Sequence, residues 1–373
     1  MLLQAASAAP FTNLYFFGDS LSDTGNIYRA TTLLNTLTLG LVPVTPQSPP
    51  YSGGRFSNGP VWAETTAARF GLASDAQSAG MSLGILGSQT GPGRNYAIGG
   101  ARTGTGGALG AFDSLVPTGV QAQVNFYLSR AGGTADPNAL YFLLGGGNDL
   151  RDLAQLTDLA AMGAGAGTAA ANLAQSFAVL YQAGARNFAM INGPNIGLIP
   201  ESINGGRIES GNYASTFFNA YLDVYAGFID DFPNINLLRF DLFSLYNDVV
   251  IDTVQGGAKY GFTSYQPCIA PGPGVPSCSD TLFFDDIHPT TRLHTLFGNA
   301  IADQFLGSSL RLSTLADPQD IAAQNPEPAT LVMLASGLGL VLFARRRWAT
   351  RSPLSPSAPT PRAANRQAPN SPA

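Results

Sequence analysis

Two distant places in the chain hold the residue types that together activate a hydroxyl nucleophile. Ser20 follows an apolar run over residues 14–17, and Asp285 precedes His288 by three positions. A serine hydroxyl attacks a carbonyl carbon only if a base accepts its proton, and a histidine base needs an acceptor on its other ring nitrogen to hold one tautomer. His288 and His294 are the only histidines, so few residues could be that base.

The two histidines have different surroundings. Pro289 is expected at the first position of a helix that continues over residues 290–305, which places His288 on the loop entering that helix. His294 lies within the same helix beside its apolar stripe, and we interpret it as structural. His288 is therefore the better candidate for the base.

The elements that must position these residues alternate along the chain. Nearly continuous apolar runs predict buried strands over residues 14–17, 96–98, 140–144, 188–191 and 236–240. Amphipathic segments predict helices over residues 61–70, 120–130, 169–183 and 213–231. This alternation indicates an α/β fold with a mostly parallel sheet covered by helices on both faces. Residues 71–94 and 256–279 are interpreted as irregular insertions that shape access to the site.

Three predicted strands run directly into glycine-containing turns, at residues 18–20, 99–100 and 145–149. Open parallel sheets place their sites beyond the carboxyl ends of the strands. Glycine at such an exit lets backbone N–H groups approach a ligand, as a pocket that stabilises an anion requires. Gly and Asn also form ordinary strand-to-helix turns, so a single exit would carry little weight.

Four sequence blocks resemble those of the GDSL, or SGNH, hydrolases and occur in the same order. They are Gly18-Asp19-Ser20-Leu21-Ser22, Asn95-Tyr96-Ala97-Ile98-Gly99-Gly100-Ala101, Gly146-Gly147-Asn148-Asp149 and Asp285-Asp286-Ile287-His288. A further stretch, Gly54-Arg55-Phe56-Ser57-Asn58-Gly59, resembles one that follows the first block in many lipase-like members. The resemblance covers residues 11–310 and implies an SGNH hydrolase domain, a flavodoxin-like three-layer α/β/α sandwich.

The resemblance also implies a role for each matching residue. Ser20 would be the nucleophile, His288 the base and Asp285 the residue that orients His288. The oxyanion would be held by the backbone N–H groups of Ser20 and Gly100 and by the side-chain amide of Asn148, which donates without carrying charge. Neither a metal nor an organic cofactor is expected.

The choice of Asp285 rests chiefly on the D-x-x-H spacing of the family. An aspartate three residues before a histidine can fold back so that its carboxylate reaches Nδ1. Asp286 is expected to face solvent or to cap the helix, and Asp280 is a weaker alternative.

A second serine motif, Gly80-Met81-Ser82-Leu83-Gly84, matches the G-x-S-x-G pattern of α/β-hydrolases. That pattern requires a strand before the serine and a helix after it. The preceding residues 73–79 are small and polar, and residues 85–94 are rich in glycine and proline. We therefore reject Ser82 as the nucleophile.

Composition limits the classes of partner. Only 12% of residues are charged and 45% are hydrophobic, with 43 glycines and 26 prolines, which indicates one large, loop-rich globular domain. Upstream of Pro326 the chain holds 13 basic and 23 acidic side chains, a net charge of −10. Nucleic acid is therefore not an expected partner.

Cys268 and Cys278 are the only cysteines. They bracket a stretch with no helical or strand pattern, and a disulfide across it fits an oxidising compartment. A pair of unreactive thiols is the alternative. Metal binding is not expected, because no further Cys or His cluster accompanies them.

The two ends of the chain resemble export signals. Residues 1–10 have small residues in an Ala-x-Ala arrangement, as in the remnant of a secretory signal peptide or a disordered start. At the other end, Pro326-Glu327-Pro328, an apolar stretch over residues 330–344 and Arg345-Arg346-Arg347 resemble the PEP-CTERM sorting signal of bacterial envelope proteins. The resemblance implies processing by an exosortase, and a simple membrane anchor is the alternative.

These features divide the chain into segments. We expect a hydrolase domain over residues 11–310, a linker over 311–325, the sorting signal with its apolar helix over 326–348, and a disordered Pro/Ser/Ala-rich tail over 349–373. The tail departs from the usual signal, which ends soon after the arginines. The protein is expected to be secreted or to lie in the cell envelope of a bacterium, and to be held transiently in the membrane by the C-terminal helix.

The sequence as a whole predicts a serine esterase or lipase that cleaves carboxylic esters through an acyl-enzyme. Its long insertions favour a lipid or other acyl ester as substrate. The sorting signal favours an alternative, removal of O-acetyl groups from an extracellular polysaccharide. A second alternative is a surface binding protein that retains the fold without turnover. Activity is expected to fall in acid as His288 becomes protonated.

Overall fold

A parallel sheet runs through the hydrophobic core, and its strand over residues 140–144 is buried at every position. The computed structural model describes residues 10–107, 115–269 and 277–307. The strands are β1 (Leu14–Gly18), β2 (Gly80–Ser82), β3 (Ser88–Thr90), β4 (Leu140–Leu144), β5 (Asn187–Ile191) and β6 (Asn236–Phe240). Four of them form the central sheet in the order β1-β4-β5-β6, and every neighbouring pair is parallel.

Helices lie on both faces of this sheet. Their bounds are α1 (Asn26–Leu37), α2 (Trp62–Arg69), α3 (Val120–Arg130), α4 (Gly147–Leu153), α5 (Leu159–Gln182), α6 (Pro200–Asn204), α7 (Ile208–Asp230), α8 (Leu242–Val254) and α9 (Thr291–Gly307). The predicted three-layer α/β/α class is confirmed.

Alternating aromatic side chains join the sheet to its two helical layers. Tyr15 stacks on Tyr141 across the β1–β4 pair, with ring centroids 5.0 Å apart, and Tyr127 of α3 packs against both rings. One residue further along each strand, Phe16 stacks on Phe142 at 4.9 Å. Trp62 of α2 packs against that second pair. Because successive residues of a strand face opposite sides, α2 and α3 cover opposite faces.

One predicted strand is wrong as a regular element. Residues 96–98 run beside β1, where the N–H groups of Tyr96 and Ile98 donate to the carbonyls of Phe16 and Gly18 at 2.7 and 3.1 Å. Only Asn95 forms a β-bridge there, with Phe16 on one side and Ser78 on the other. The segment is therefore held like an edge strand but turns away after a few residues.

Several helices differ in extent from the prediction. The helix predicted over 169–183 begins at Leu159, and the one predicted over 213–231 begins at Ile208. Both early turns are rich in small or polar residues, so they lack a periodic apolar stripe. Asp158 caps α5 by accepting the N–H groups of Ala160 and Ala161. Helices α1, α4, α6 and α8 are not in the prediction.

The region of the second serine motif has the wrong structure for a nucleophile elbow. Ser82 ends β2, which pairs antiparallel with β3 in a two-stranded hairpin. The residues after it form a single 3₁₀ turn over Gly84–Leu86, not the α-helix that a nucleophile elbow requires. Ser82 accepts a hydrogen bond from the N–H of Gly84 at 3.2 Å.

The expectations for both ends of the chain fall largely outside the described residues. This holds for residues 1–9 and for everything after 307, which includes the predicted linker, sorting signal and tail. Within the ranges that the structure does describe, none of the helices is both long enough and apolar enough to cross a membrane.

Candidate active site

Ser20 lies directly beyond β1, at the edge of the sheet where the parallel strands end. The chain turns tightly there, because the carbonyl of Asp19 accepts the N–H groups of Ser22 and Asp23, each at 3.0 Å. Oγ of Ser20 lies 2.8 Å from Nε2 of His288, although 268 residues separate them in sequence. The fold therefore brings together the two residues that the sequence predicts as nucleophile and base.

His288 lies on a short loop closed by an antiparallel bridge between Phe283 and Pro289. Asp285 shapes this loop from within. Its Oδ1 accepts the N–H groups of Ile287 and His288 at 2.8 and 2.6 Å. The same carboxylate thus fixes the backbone that carries the imidazole.

The other carboxylate oxygen of Asp285 orients the imidazole ring. Oδ2 lies 2.7 Å from Nδ1 of His288. Burial alone would raise the pKa of Asp285, but the charge and hydrogen bonds of His288, together with the Tyr51 hydroxyl, lower that pKa to about 2. An ionised carboxylate can only accept hydrogen bonds, so Nδ1 carries the proton and donates it. Nε2 is then left to accept the Ser20 hydroxyl, the arrangement that a histidine base requires.

Two backbone N–H groups belong to turns that the sequence singles out, at residues 18–20 and 99–100. Gly100 has a φ of +79°, a left-handed conformation that glycine adopts without a steric penalty. The N–H groups of Ser20 and Gly100 donate to no acceptor among the described residues. They match the two backbone donors that the family resemblance implies for an oxyanion.

Asn148 lies in the first turn of α4 and lines the same cavity as Ser20 and His288. The turn that precedes it depends on Gly146, whose φ is +114° and whose missing Cβ would lie 2.7 Å from the ring of Phe218. Glycine is therefore required there both for the backbone conformation and for the close packing.

The amide of Asn148 is held in one orientation. Its Nδ2 donates to the carbonyl of Ala101 at 3.0 Å, and its Oδ1 accepts from Nη1 of Arg151 at 3.3 Å. Arg151 is in turn held by a two-pronged ion pair with Glu201, at 2.8 and 2.6 Å. A primary amide has two N–H donors, so one donor remains for a substrate oxygen.

A cavity opens beside Ser20 and is lined mainly by apolar side chains. The volume of this cavity is about 50 Å³. Its apolar lining comes from Leu21, Pro194, Ile196, Ile199, Leu242, Tyr246, Phe283, Ile287, Pro289 and Phe297. Such a pocket suits a small apolar group bonded to the carbonyl that Ser20 would attack.

Two buried carboxylates near the site are absent from the sequence prediction. Asp23 accepts backbone N–H groups from Gly25, Asn26, Ile27 and Gly99, and its bond to Gly99 is 2.8 Å long. It therefore ties the 99–100 turn to the segment that follows Ser20. Burial raises the pKa of both Asp19 and Asp23 to about 6, against the opposing hydrogen bonds.

Arg151 and Tyr51 are also absent from the prediction. Arg151 follows Asn148 by three positions, and neighbours at that spacing lie on one face of a helix, so the pairing could have been found from the sequence. Tyr51 donates its hydroxyl to Oδ2 of Asp285 at 2.7 Å across 234 residues. No local pattern indicates that contact.

The remaining predicted residues have the following places. Asp286 and Asp280 are exposed. His294 is fully buried, and its Nδ1 accepts the N–H of Trp62 at 3.4 Å. A disulfide joins Cys268 to Cys278, whose Cα atoms are 5.2 Å apart.

The predicted position of Pro289 is wrong. Helix α9 begins at Thr291, two residues later. Pro289 belongs instead to the bridge that closes the His288 loop, and its carbonyl accepts the hydroxyl of Ser57 at 2.8 Å. The first N–H of the helix is capped by Oδ1 of Asn58 at 2.8 Å. A remote segment thus supplies the cap.

In the described ranges, the His, Cys, Asp and Glu side chains form no group of three or more that could hold a metal ion.

Comparison with known proteins gives matches along most of the chain. The family described as GDSL-like lipase/acylhydrolase matches residues 14–301. Esterase EstA of Pseudomonas aeruginosa is 29% identical over 321 residues, covering 76% of this chain and 45% of the esterase. A Pseudomonas putida protein from the trpE-trpG intergenic region is 28% identical over 380 residues, covering 95% of this chain and 57% of that protein. The chain thus spans about half the length of these curated relatives.

Among solved structures, the native aryl esterase of M. smegmatis is similar, with a TM-score of 0.37 and 16% identity over 79% of this chain and 98% of that one. The family match begins at the first residue of β1 and ends within α9, so it includes the whole central sheet and every residue of the site. The chain belongs to the GDSL-like lipase/acylhydrolase family.

Proposed function

We propose that this protein is a carboxylic ester hydrolase that uses Ser20 as nucleophile, His288 as general base and acid, and Asp285 to orient His288. The observation that carries the proposal is the unbroken chain of hydrogen bonds through the site. Ser20 lies 2.8 Å from Nε2, and Asp285 lies 2.7 Å from Nδ1 of the same imidazole. These are the contacts that proton transfer from a serine hydroxyl requires.

The reaction follows from this geometry in two halves. Oγ of Ser20 forms a bond to the ester carbonyl carbon while its proton passes to Nε2 of His288, and the carbonyl oxygen gains the negative charge. The ionised Asp285 stabilises the resulting imidazolium. Collapse of the intermediate breaks the bond to the alcohol oxygen, which takes the proton from Nε2. A water molecule then repeats the sequence on the acyl-enzyme and releases the acid.

The negative charge of each intermediate would be held by the N–H groups of Ser20 and Gly100 and by the amide of Asn148. The donors are supported by their positions after β1, after β4 and after the edge segment 96–98. The N–H groups of Ser20 and Gly100 also have no acceptor among the described residues. Fixed donors of this kind stabilise the transition state without reorganising when charge develops.

The cavity favours an ester with a short apolar acyl group. Its lining is mostly apolar, which suits the apolar part of an acyl group. Its volume of about 50 Å³ is small beside the roughly 300–1,000 Å³ of common ligand pockets, which favours a short acyl group. We therefore propose a short-chain esterase, with a long-chain lipase as the less favoured form of the same activity.

The primary test is hydrolysis of p-nitrophenyl butyrate by the wild type, Ser20→Ala and Ser82→Ala. Ser82 is the matched control, because it is the serine of the competing motif and lies in the β2–β3 hairpin. We expect Ser82→Ala to keep wild-type kcat and Ser20→Ala to lose at least about a thousandfold. Loss of activity in Ser82→Ala alone would contradict the proposal.

Chain-length preference tests the pocket separately. We expect kcat/KM to be highest for acetate or butyrate esters and to fall for the octanoate. A steady rise from acetate to octanoate would replace the short-chain proposal with the lipase. Release of acetate from an O-acetylated polysaccharide, with no hydrolysis of simple esters, would instead favour the polysaccharide deacetylase expected from the C-terminal signal.

We also propose that the protein is exported and that residues 326–348 act as a PEP-CTERM signal read by an exosortase. Support comes from the order of its three parts in the sequence and from the Cys268–Cys278 disulfide, since disulfides form in oxidising compartments. The intact mass of the mature protein tests this, with cleavage expected near Pro326. A cytosolic protein of full mass would contradict it.

A further inference from the structure

Tyr51 contacts the proposed proton-transfer chain from outside the family's matched blocks. Its hydroxyl donates to Oδ2 of Asp285 at 2.7 Å. This is the same oxygen that accepts Nδ1–H of His288, also at 2.7 Å. The two donors therefore compete for the charge on one oxygen atom.

The position of Tyr51 is well defined. Its ring packs edge-on against Phe284, next to Asp285 in sequence, with centroids 5.1 Å apart. It also packs against Phe56 at 6.1 Å, and Phe56 in turn contacts the ring of His288 at 5.0 Å. The hydroxyl is thus directed at Asp285 by contacts on two sides of its ring.

The segment that carries Tyr51 holds the histidine loop at further points. Ser57 donates its hydroxyl to the carbonyl of Pro289, and Asn58 caps Thr291. Together with Tyr51 and Phe56, these contacts attach residues 51–58 to the loop on both sides of His288. The segment comes from the N-terminal half of the chain, so the contacts depend on the complete fold.

We propose that Tyr51 is a positioning residue that acts through Asp285 to lower the proton affinity of His288, and so keeps the base available in mild acid. The inference rests on the proposed function, because it assigns Tyr51 to the same site. Tyr51 has none of the roles already proposed for this site, namely the nucleophile, the general base and acid, the orienting carboxylate and the oxyanion donors.

The direction of the effect follows from charge. Among the described residues, the other charged or titratable groups that interact with His288 or Asp285 are Asp19, Glu201, Arg151 and His294, and Tyr51→Phe changes none of them. Burial beside Asp285 raises the pKa of Tyr51, so the hydroxyl remains protonated and acts as a donor throughout the neutral range. A donor on Oδ2 disperses the carboxylate charge that would otherwise stabilise the imidazolium. Without that donor, Asp285 attracts the protonated form of His288 more strongly. More acid-inactivated enzyme would then be present at any mildly acidic pH.

The test compares wild type with Tyr51→Phe, which keeps the ring and removes only the hydroxyl. Tyr28→Phe is the matched control, because Tyr28 packs against Gly54 of the same segment and has no described hydrogen bond to Asp285. The rate of labelling by a fluorophosphonate is measured against pH in the full-length protein. We expect the acid limb of Tyr51→Phe to move up by about half a pH unit, with no movement in Tyr28→Phe.

A second measurement does not require turnover. The chain has only two histidines, so ¹⁵N-histidine labelling gives two pairs of imidazole signals, one Nδ1 and one Nε2 for each ring, and His288→Gln assigns them. We expect the titration midpoint of the His288 signals to rise by about half a pH unit in Tyr51→Phe. A midpoint at or below the wild-type value, or an equal rise in Tyr28→Phe, would overturn the inference. Absence of labelling and hydrolysis in the wild type would overturn the proposed function, whereas the NMR midpoint would still decide the role of Tyr51.

Discussion

Arg151 donates a hydrogen bond to Oδ1 of Asn148 at 3.3 Å, while the carbonyl of Ala101 accepts from Nδ2 of the same amide at 3.0 Å. A cation on one side and a carbonyl on the other allow only one orientation of this amide. Its remaining N–H therefore points in a fixed direction within the cavity. Glu201 holds Arg151 through two hydrogen bonds. The backbone N–H of Glu201 donates to the carbonyl of Asp286 at 2.9 Å. The candidate oxyanion site and the histidine loop are thus linked.

Replacement of Arg151 by Met is expected to lower kcat by about tenfold, because loss of a hydrogen bond of roughly 1.5 kcal/mol releases the Asn148 amide. KM is expected to change little, since the amide would act chiefly on the transition state. Arg69→Met is the control, because Arg69 forms an exposed ion pair with Asp303. A kcat within twofold of wild type for Arg151→Met would contradict the orienting role.

Replacement of Asn148 by Ala is expected to cost about 10²–10³ in kcat, as for other side-chain donors to an oxyanion. The measurement is steady-state hydrolysis of p-nitrophenyl butyrate, with circular dichroism to verify folding. The double variant with Arg151→Met should be no slower than Asn148→Ala, because Arg151 would act through the amide. Additive losses would show that the two residues act separately.

Much of the fold could be predicted because each central strand carries its signal in its own residues. The run at 140–144 is predicted at the observed bounds, since a strand buried on both faces is apolar throughout, and all five of its residues are buried. The run at 236–240 also has the observed bounds, although most of its residues are only partly buried. Residues 96–98 look the same in sequence. Their pairing ends where the N–H of Gly99 donates to Oδ2 of Asp23 at 2.8 Å, while the Asn26 amide donates to the carbonyls of Asn95 and Ala97. These contacts depend on a distant segment.

The residues of the site also divide into those that the sequence indicates and those that only contacts in the folded chain bring together. Ser20, Asp285 and His288 could be predicted as site candidates because the family blocks occur in order, and the fold places them in hydrogen-bond contact. Tyr51 could not be identified, because its role depends on a hydroxyl that meets Asp285 only in the folded chain. The start of α9 is wrong in the prediction for a similar reason. A proline usually indicates the first helical residue, but here a bridge to Phe283 holds Pro289 outside the helix.

The pKa of Asp285 gives a prediction for stability in acid. Its folded pKa of about 2 lies below the ordinary value of 3.8, so the ionised form is favoured by folding. That contribution is fully present above about pH 5 and is lost as the pH falls through the folded pKa. The difference in unfolding free energy between wild type and Asp285→Asn should be about 1 kcal/mol larger at pH 6 than at pH 3. Urea unfolding at the two pH values measures it, and a constant difference would contradict the assignment.

His294 gives a second prediction for stability. Burial lowers the pKa of His294 from 6.5 to about 3, so the folded protein holds this imidazole neutral. The unfolded chain binds the extra proton between those values, and stability should therefore rise with pH from about 3 to about 6.5. We expect the unfolding free energy of His294→Gln to change less between pH 4.5 and pH 7.5 than that of wild type, as measured by urea unfolding. If the unfolding free energy changes equally with pH in both proteins, groups other than His294 cause the change, and the prediction is wrong.

The most direct test of the central claim is to locate a covalent phosphonate by mass spectrometry after reaction with a fluorophosphonate. We predict a single adduct on Ser20, complete loss of labelling in Ser20→Ala, and labelling slowed at least about a hundredfold in His288→Gln. An adduct on any other residue, or undiminished labelling in either variant, would contradict the assignment of Ser20 and His288 as nucleophile and base.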